Sequence, residues 1–280
     1  MSTAPQARAA AAPPLWNRAI SRLVAAYTPA RGRTRLRQAT SPWLVGHLPF
    51  GAWTRVSGLV DAEWNFLQGA SKEDITESCI KPLLHPGSIF VDVGANVGYF
   101  ALLASTLGAR VVAYEPTPSV FARLRENVDL NGFQEAQLVN AAVMDKPGTL
   151  SLHLSGDDPE ANSLFGDDAE DNIQSVRVPA VTLDDDLAAR GITHVDLLKI
   201  DAEGAEPFVL DGATRLLSSP NPPVIIVEVN AFTLNCAGLQ PSDILSRLEA
   251  HGYNHTEIEA GIYKGAYCGN ILATPGPASA

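Results

Sequence analysis

From residue 88 onward, short apolar runs alternate with longer segments in which apolar residues recur at helical spacing. The apolar runs are rich in Val, Ile and Leu, a composition typical of strands that are buried on both faces. In chain order, these runs are SIFVDVGA, RVVAYEP, QLVNAAV, THVDLLKID and PPVIIVEVN. Strands that alternate with helices in this way predict a doubly wound, mostly parallel α/β sheet with helices on both faces.

Further extended segments do not follow the strand–helix alternation. TLSLHLS and SVRVPAVTL flank an acidic, Gly- and Asn-containing segment at 155–175, and the tail at 252–275 resembles two strands or a hairpin. We expect residues 155–175 to form either a flap over a functional site or an ordinary solvent-exposed loop.

The first 70 residues differ from the rest of the chain. Residues 1–14 are rich in Ala and Pro and are predicted to be disordered. Residues 15–70 form an Arg-rich extension, in which 15–28 have the spacing of a short amphipathic helix and the later aromatic residues are candidates for a cover over the site. We therefore expect the folded domain to span 71–280, with an irregular and helical extension before it.

The charge is divided unevenly along the chain. The formal net charge is −11, yet residues 1–60 contain eight arginines and no acidic residue. An acidic body repels phosphate backbones, which argues against nucleic acid as a substrate. The arginines are expected to form a solvated arm, although an anionic surface or an acidic partner would also suit them.

Cysteine spacing and hydropathy indicate the compartment. Cys79, Cys236 and Cys268 are far apart and do not form a CxxC pair, so neither a disulfide framework nor a zinc site is expected. The chain has no apolar run long enough for a transmembrane helix and no typical secretory signal at its start. These features predict a cytoplasmic protein.

The strongest chemical signal is the turn Asp92-Val-Gly94-Ala95-Asn96-Val-Gly98, between the first strand and its helix. Glycines allow a tight turn and a close approach to a ligand, and the start of a helix offers free N–H groups. The carboxylate of Asp92 favours a cationic amine or sulfonium over a pyrophosphate, which it would repel. Asn96 replaces the second glycine of the dinucleotide motif GxGxxG. The alternative is an ordinary strand–turn–helix connection.

Glu115 ends the second strand, 17 residues after Gly98. An acidic residue at this place can accept hydrogen bonds from both hydroxyls of a ribose. Taken alone, a Glu before a Pro is more often a turn residue. At this interval after the glycine turn, it becomes a candidate contact for a nucleoside.

A third signal, LLKIDAEGAE, places Lys199, Asp201, Glu203 and Glu206 at the end of a strand. Ligands of open α/β sheets bind at this edge. Lys199 and Asp201 share one face of the strand and could equally form a structural salt bridge. We interpret Asp201 as functional and Glu206 as a helix-start charge that the helix dipole favours.

The next strand ends with Glu228 and Asn230, which alternation places on one face. Together with Asp201, these oxygens could hold Mg²⁺ or bind the hydroxyls of a substrate. Acidic strand ends have several uses, so we favour a site without metal.

These motifs, in this order, resemble the FkbM-type family of S-adenosylmethionine-dependent methyltransferases. The resemblance extends over about residues 71–270 and also includes LVNAAVMD, Gly148 and VTLDD. It implies the Rossmann-like class I methyltransferase fold, a seven-stranded sheet whose last strand is antiparallel. It also implies O-methylation, commonly of a hydroxyl of a sugar, glycan or natural product.

The resemblance also assigns roles to individual residues. The segment around Asp92, Gly94 and Asn96 would hold the methionine part of the cofactor, Glu115 the ribose, and the segment from Asn140 the adenine. The implied cofactor-binding set is Asp92, Gly94, Ala95, Asn96, Gly98, Glu115, Asn140, Ala141 and Asp201. Either Asp201 or Glu203 would be the base that takes the proton of the acceptor, with Lys199 tuning the local field. Glu228 and Asn230 would bind the substrate.

Two other functions stay open at this point. One is a different nucleotide-binding α/β enzyme that uses NAD or a nucleotide sugar, which Asn96 and the lack of a Tyr-x-x-x-Lys pair disfavour. The other is a noncatalytic S-adenosylmethionine-binding protein, with the Arg-rich extension as its docking element. For the enzyme, the expected partner is a small-molecule or glycan hydroxyl acceptor, and a homo-oligomer is compatible with the sequence.

Overall fold

A computed structural model describes residues 45–55, 74–154, 162–165 and 174–277. The predicted disordered tail at 1–14, the helix predicted at 15–28 and the helix start predicted near Ser71 lie outside these residues. In the described part of the chain, no helix is both long and apolar enough to cross a membrane.

The strands and helices follow the alternation that the apolar pattern predicts. The strands are β1 (Val45–His47), β2 (Trp53–Arg55), β3 (Ile89–Val93), β4 (Arg110–Tyr114), β5 (Ala136–Val139), β6 (Ala142–Val143), β7 (Gly148–Leu154), β8 (Gln174–Val181), β9 (Leu197–Ile200), β10 (Val224–Asn230), β11 (Tyr253–Tyr263) and β12 (Ala266–Pro275). The helices are α1 (Asp74–Ile80), α2 (Tyr99–Thr106), α3 (Pro118–Asn131), α4 (Leu183–Ala189), α5 (Glu206–Asp211), α6 (Thr214–Leu217), α7 (Ala231–Cys236) and α8 (Pro241–Ala250), and a short 3₁₀ turn (Lys81–Leu83) follows α1.

The central sheet has seven strands in the order β11-β12-β10-β9-β3-β4-β5. Neighbouring strands from β10 to β5 pair in parallel, whereas β12 runs antiparallel to both β10 and β11. This arrangement is the seven-stranded class I methyltransferase sheet, with its last strand antiparallel, as the resemblance implied. The fold prediction is therefore confirmed.

Alternating residues of the central strands belong to two apolar clusters, one on each face of the sheet. Val91 and Val93 of β3 belong to the cluster that includes α4, α5 and α8, whereas Phe90 belongs to the cluster with α2 and α3. Helix α2 is buried from Tyr99 to Ala104 because it lies against the sheet between other elements. Burial on both faces explains why these strands are nearly continuous apolar runs.

The two extended segments predicted after the third strand do not extend the central sheet. They form β7 and β8, which pair with β6 in a separate three-stranded sheet. Val178 and Ala180 of β8 are buried between exposed neighbours, and Leu152 is the buried residue of β7, so one face is in contact with water, as is usual for an antiparallel pair. Leu152 and Val178 of this sheet pack against Ala205, beside the central sheet.

Part of the extension before residue 71 packs onto the domain. Leu48 and Ala52 are buried in the same apolar cluster as α2 and α3. The side chain of Asn131 binds both the N–H and the carbonyl of Trp53, each at 2.7 Å. The extension therefore contributes residues to the core of the domain.

Candidate active site

A cavity of about 300 Å³ opens at the carboxyl edge of the central sheet, beyond the ends of β3, β4, β9 and β10. The polar and ionisable residues on its wall are Asn96, Tyr99, Tyr114, Glu115, Thr117, Asn162, Lys199, Asp201, Glu203 and Glu228. Four of these ten are carboxylates and one is an ammonium group, so the wall favours a cationic ligand. The position agrees with the rule that open α/β sheets bind ligands at this edge.

The turn between β3 and α2 forms one side of the cavity. Gly94 and Asn96 line it and both adopt a positive φ, 78° and 52°. The N–H groups of Gly94 and Ala95 both bind the carbonyl of Tyr114, at 3.0 and 2.9 Å. The turn therefore uses these two N–H groups to join the ends of β3 and β4. The prediction that the start of the helix offers free N–H groups to a ligand concerns later residues and stays a prediction.

Glu115 joins the first two strand–helix turns. One carboxylate oxygen accepts the Asn96 N–H at 3.1 Å, and the other accepts the Thr117 N–H at 2.7 Å. Burial raises the pKa of Glu115 to about 7. Each oxygen has a second lone pair beyond the bond to its amide, so this wall residue can still accept bonds from ligand hydroxyls.

Asp92 lies behind the cavity wall. Its side chain is 1% exposed, and neither of its oxygens makes a hydrogen bond with the described part of the chain. Burial raises its pKa to about 6, and attraction to the nearby Lys199 opposes the shift. A buried carboxylate without hydrogen bonds is costly, and a cationic ligand in front of it would offset this cost.

Lys199 is a cationic side chain among the carboxylates that line the cavity. The residue is 3% exposed, and its Nζ lies 2.9 Å from Oδ2 of Asp201 and 4.7 Å from the centre of the Phe100 ring. The register pairs Asp92 of β3 with Lys199 of β9. The salt bridge between Lys199 and Asp201, which the sequence left open as an alternative to a functional role, is present, and both residues line the cavity.

Three carboxylates meet beside this pair. Oxygens of Asp201, Glu203 and Glu228 lie within 4.8 Å of one another. Burial, together with repulsion from Asp201 and Glu203, raises the pKa of Glu228 well above its ordinary value. Such a cluster can accept protons or bind hydroxyl and ammonium groups. The same oxygens are chemically suitable for a hard cation, although Lys199 already supplies a positive charge at Asp201.

The remaining predicted site residues lie around the cavity in different ways. Ala141 lines the cavity. Gly98 is not part of the wall and forms the cap at the start of α2. Asn140 is not part of the wall, because its side chain donates to the carbonyls of Glu115 and Pro116 at 2.8 and 3.0 Å. It holds the second turn in place.

Asn230 does not converge with Asp201 and Glu228, contrary to the expectation from strand alternation. Its Oδ1 accepts the N–H groups of Phe232 and Thr233, at 3.2 and 3.5 Å, and caps α7. The strand ends at Asn230 and a helix begins at once, so the side chain binds the helix start. Its predicted contact with the substrate has no support in this geometry.

Residues outside the predicted set of site residues complete the wall. Tyr99, Asn162 and Leu164 line the cavity. Residues 162–165 cross it: Asn162 donates to Oγ1 of Thr117 at 3.4 Å, and Ser163 donates to the carbonyl of Glu203 at 2.9 Å. Asn162 and Leu164 belong to the segment 155–175, which we expected to form either a flap over the site or a solvent-exposed loop, and they lie at the cavity. Residues 155–161 and 166–173 lie outside the described residues.

The comparisons with known proteins agree with this geometry. The family model described as Methyltransferase FkbM domain matches residues 92–254. The chain belongs to the FkbM methyltransferase family. It is therefore a methyltransferase, and the predicted family and enzyme class are confirmed.

Two relatives illustrate the family. The 31-O-demethyl-FK506 methyltransferase FkbM of Streptomyces tacrolimicus is 32% identical over 219 residues, which cover 68% of this chain and 82% of that protein. The hexuronic acid methyltransferase AglP of Haloferax volcanii is 27% identical over 199 residues, which cover 71% and 76%. Among solved structures, precorrin-6y C5,15-methyltransferase from Geobacter metallireducens is 19% identical with a TM-score of 0.45, over 73% of this chain and 89% of that one.

Proposed function

We propose that this protein transfers a methyl group from S-adenosylmethionine to a hydroxyl of a sugar, glycan or natural product. The cluster of Asp201, Glu203 and Glu228, next to a cavity behind which Asp92 lies without hydrogen bonds, supports this proposal most strongly. A carboxylate-rich wall suits a cationic cofactor and can accept the proton that an alcohol loses when it is methylated.

The residues at the first two turns fit the cofactor. Glu115 would accept the ribose hydroxyls, Asp92 would stabilise the positive charge from behind the wall, and Ala141 would contact the adenine. When bound, S-adenosylmethionine supplies an electrophilic methyl group on a positively charged sulfur. The chain itself must then align the acceptor oxygen and exclude water, which is mainly an orientation task.

The groups for the acceptor lie at the carboxyl ends of β9 and β10. Asp201 or Glu203 would take the hydroxyl proton, and Lys199 holds the Asp201 carboxylate in place through their 2.9 Å contact. Glu228, whose pKa is raised, would donate a hydrogen bond to a second oxygen of the acceptor in its protonated form. This arrangement favours a polyhydroxylated or cationic acceptor over an anionic one.

Two relatives differ in the charge of the substrates in their names. By their names, one acts at the 31-oxygen of demethylated FK506 and the other on a hexuronic acid. A hexuronic acid carries a carboxylate, so the preference for a neutral or cationic acceptor rests on the charges of this cavity and not on the relatives. The three cysteines of this chain are unpaired, and we infer that the protein works in a reducing compartment such as the cytoplasm.

The proposal is tested by binding first and transfer second. Calorimetry with S-adenosylmethionine, S-adenosylhomocysteine and NAD should give binding of the first two only. Transfer of a labelled methyl group should then occur to a member of a panel of neutral sugars, amino sugars, uronic acids and macrolide alcohols. Binding of NAD alone would overturn the cofactor assignment, and binding without transfer to any panel member would favour a noncatalytic protein.

A further inference from the structure

Glu206 is the most deeply buried carboxylate near the site, and the mechanism above does not use it. Its side chain is 0% exposed, and burial raises its pKa to about 7. It begins α5, where we expected an ordinary helix-start charge. The carboxylate instead binds the turn that precedes the helix.

The contacts of Glu206 hold both sides of Glu203. Oε1 accepts the Ala202 N–H at 2.8 Å and the Gly204 N–H at 3.2 Å, and Oε2 accepts the Gly204 N–H at 3.1 Å. The two amides that flank Glu203 in the chain are therefore bound by one carboxylate. Hydrogen bonds from amides to a buried carboxylate are stronger than bonds between neutral groups.

This turn has a backbone conformation that needs support. Glu203 has a φ of 49°, in the left-handed region that costs a non-glycine residue about 1–2 kcal/mol. Gly204 follows with a φ of 98°, and a Cβ on it would lie 2.6 Å from the carbonyl oxygen of Thr233. The turn is thus packed closely against α7 and held in a strained form.

The strained form presents the carboxylates to the cavity. Both Asp201 and Glu203 line the cavity, and their oxygens lie within 4.8 Å of each other and of Glu228. On the other side of the turn, Ser163 binds the Glu203 carbonyl at 2.9 Å. Glu203 is therefore fixed from two directions, by Glu206 through its neighbouring amides and by Ser163 through its carbonyl.

We propose that Glu206 is a positioning residue for methyl transfer, which fixes the 201–204 turn so that Glu203 and Asp201 meet at the acceptor oxygen. The inference rests on the proposed function, because it assigns the turn to the acceptor side. A Gln at this position would keep one acceptor oxygen but turn an NH₂ group toward the Gly204 N–H, so the turn would lose part of its support.

The test compares Glu206→Gln and Glu206→Ala with Glu249→Gln, a change at an exposed position of α8, in the full chain. Hydrogen–deuterium exchange of the peptide over 201–206 reports the turn directly and needs no acceptor. We expect faster exchange in this peptide in both Glu206 variants, more in the Ala variant, with other core peptides and the Glu249 variant unchanged.

Kinetics then separate positioning from general stability. We expect Glu206→Gln to retain affinity for S-adenosylhomocysteine within about threefold and to lose roughly 100-fold in kcat, with a smaller change in KM, since misplacement by about 1 Å has effects of this size. Glu206→Ala should lose more, so that Gln rescues part of the activity.

Two results would overturn the inference. One is a folded Glu206→Gln variant with wild-type exchange at 201–206 or with wild-type kcat. The other is a loss of turnover that only follows global unfolding, with equal loss of cofactor affinity. A wild-type protein that transfers no methyl group would count against the proposed function instead, and the exchange experiment would still decide whether Glu206 holds the turn.

Discussion

The backbones of Gly94 and Asp201 are in direct contact: a Cβ on Gly94 would lie 1.7 Å from the carbonyl oxygen of Asp201. The N–H of Asp201 also binds the carbonyl of Val93 at 3.0 Å. The first turn, which we assign to the cofactor, therefore lies against the residue that we assign to the acceptor. These two motifs lie about 100 residues apart in the sequence and fit together only while residue 94 has no side chain.

Gly94→Ala should disrupt both binding and stability, because a methyl group at residue 94 forces the Asp201 backbone to move. Gly191→Ala is the matched control, since Gly191 also has a positive φ (70°) but a Cβ there meets nothing within 4 Å. We expect the control to cost about 1–2 kcal/mol in the free energy of unfolding. Gly94→Ala should cost clearly more and abolish binding of S-adenosylhomocysteine. Urea unfolding and calorimetry measure both, and equal costs would contradict the close contact.

Glu115→Gln should weaken cofactor binding, because an amide offers one acceptor oxygen where the carboxylate offers two. Hydrogen bonds to a charged group contribute about 1.5–3 kcal/mol, so we expect roughly a 10- to 100-fold increase in the dissociation constant of S-adenosylhomocysteine. The acceptor KM should change less. Calorimetry of this variant against Glu249→Gln measures the difference, and an unchanged dissociation constant would remove Glu115 from the ribose site.

The raised pKa of Glu115 also predicts a pH dependence. Its pKa is about 7 in the folded protein and near 4.5 when unfolded, so the folded chain binds more protons between these values. The contribution of Glu115 to the stability of the ligand-free protein is therefore greatest below about pH 4.5 and is lost as the pH rises toward 7. Urea unfolding from pH 5 to 8 should show a shallower decline in Glu115→Gln than in the wild type. An identical slope would mean that Glu115 is not protonated in this range.

Asp201→Asn and Glu203→Gln should differ in their effects. Asp201 is paired with the Lys199 ammonium at 2.9 Å, whereas Glu203 is placed by its neighbouring amides. Loss of a general base lowers kcat by about 10²- to 10⁴-fold, and we expect a loss of this size in the variant that removes the base. The other variant should mainly raise the acceptor KM. Wild-type turnover in both, with intact cofactor binding, would show that neither is the base.

We expect turnover to be independent of added Mg²⁺. Lys199 already supplies a positive charge to the cluster of Asp201, Glu203 and Glu228, and a divalent cation beside the ammonium would be repelled. Dialysis against EDTA should leave kcat unchanged, and titration with Mg²⁺ should give no heat above dilution. Loss of activity in EDTA that Mg²⁺ restores would make the three carboxylates metal ligands.

The sequence predicted the features that depend on residues close together in the chain. Strand order along the chain, the glycine turn at residues 92–98 and the acidic residue after the second strand all follow from periodicity and short spacing. The Lys199–Asp201 pair followed from strand alternation. Each of these features involves residues that are close in sequence or occupy equivalent strand ends.

Other features required the three-dimensional structure. Asn230 has a strand neighbour on one side and a helix start on the other, and alternation alone could not indicate that the helix would bind its side chain. Asn162 and Leu164 reach the cavity from a segment without periodic pattern. Glu206 satisfies the ordinary rule for an acidic helix start, so nothing local distinguished its buried contacts with the turn from an exposed charge.

The position of β12 between β10 and β11 protects one edge of the sheet beside the carboxylates that we assign to the acceptor. Cys268 of β12 lies 3.5 Å from Glu228, and β12 pairs with β10 from Ile225 to Asn230. Without β12, this edge of β10 would be unpaired and open to another strand. The hairpin of β11 and β12 therefore shields the acceptor side of the site from pairing with other chains.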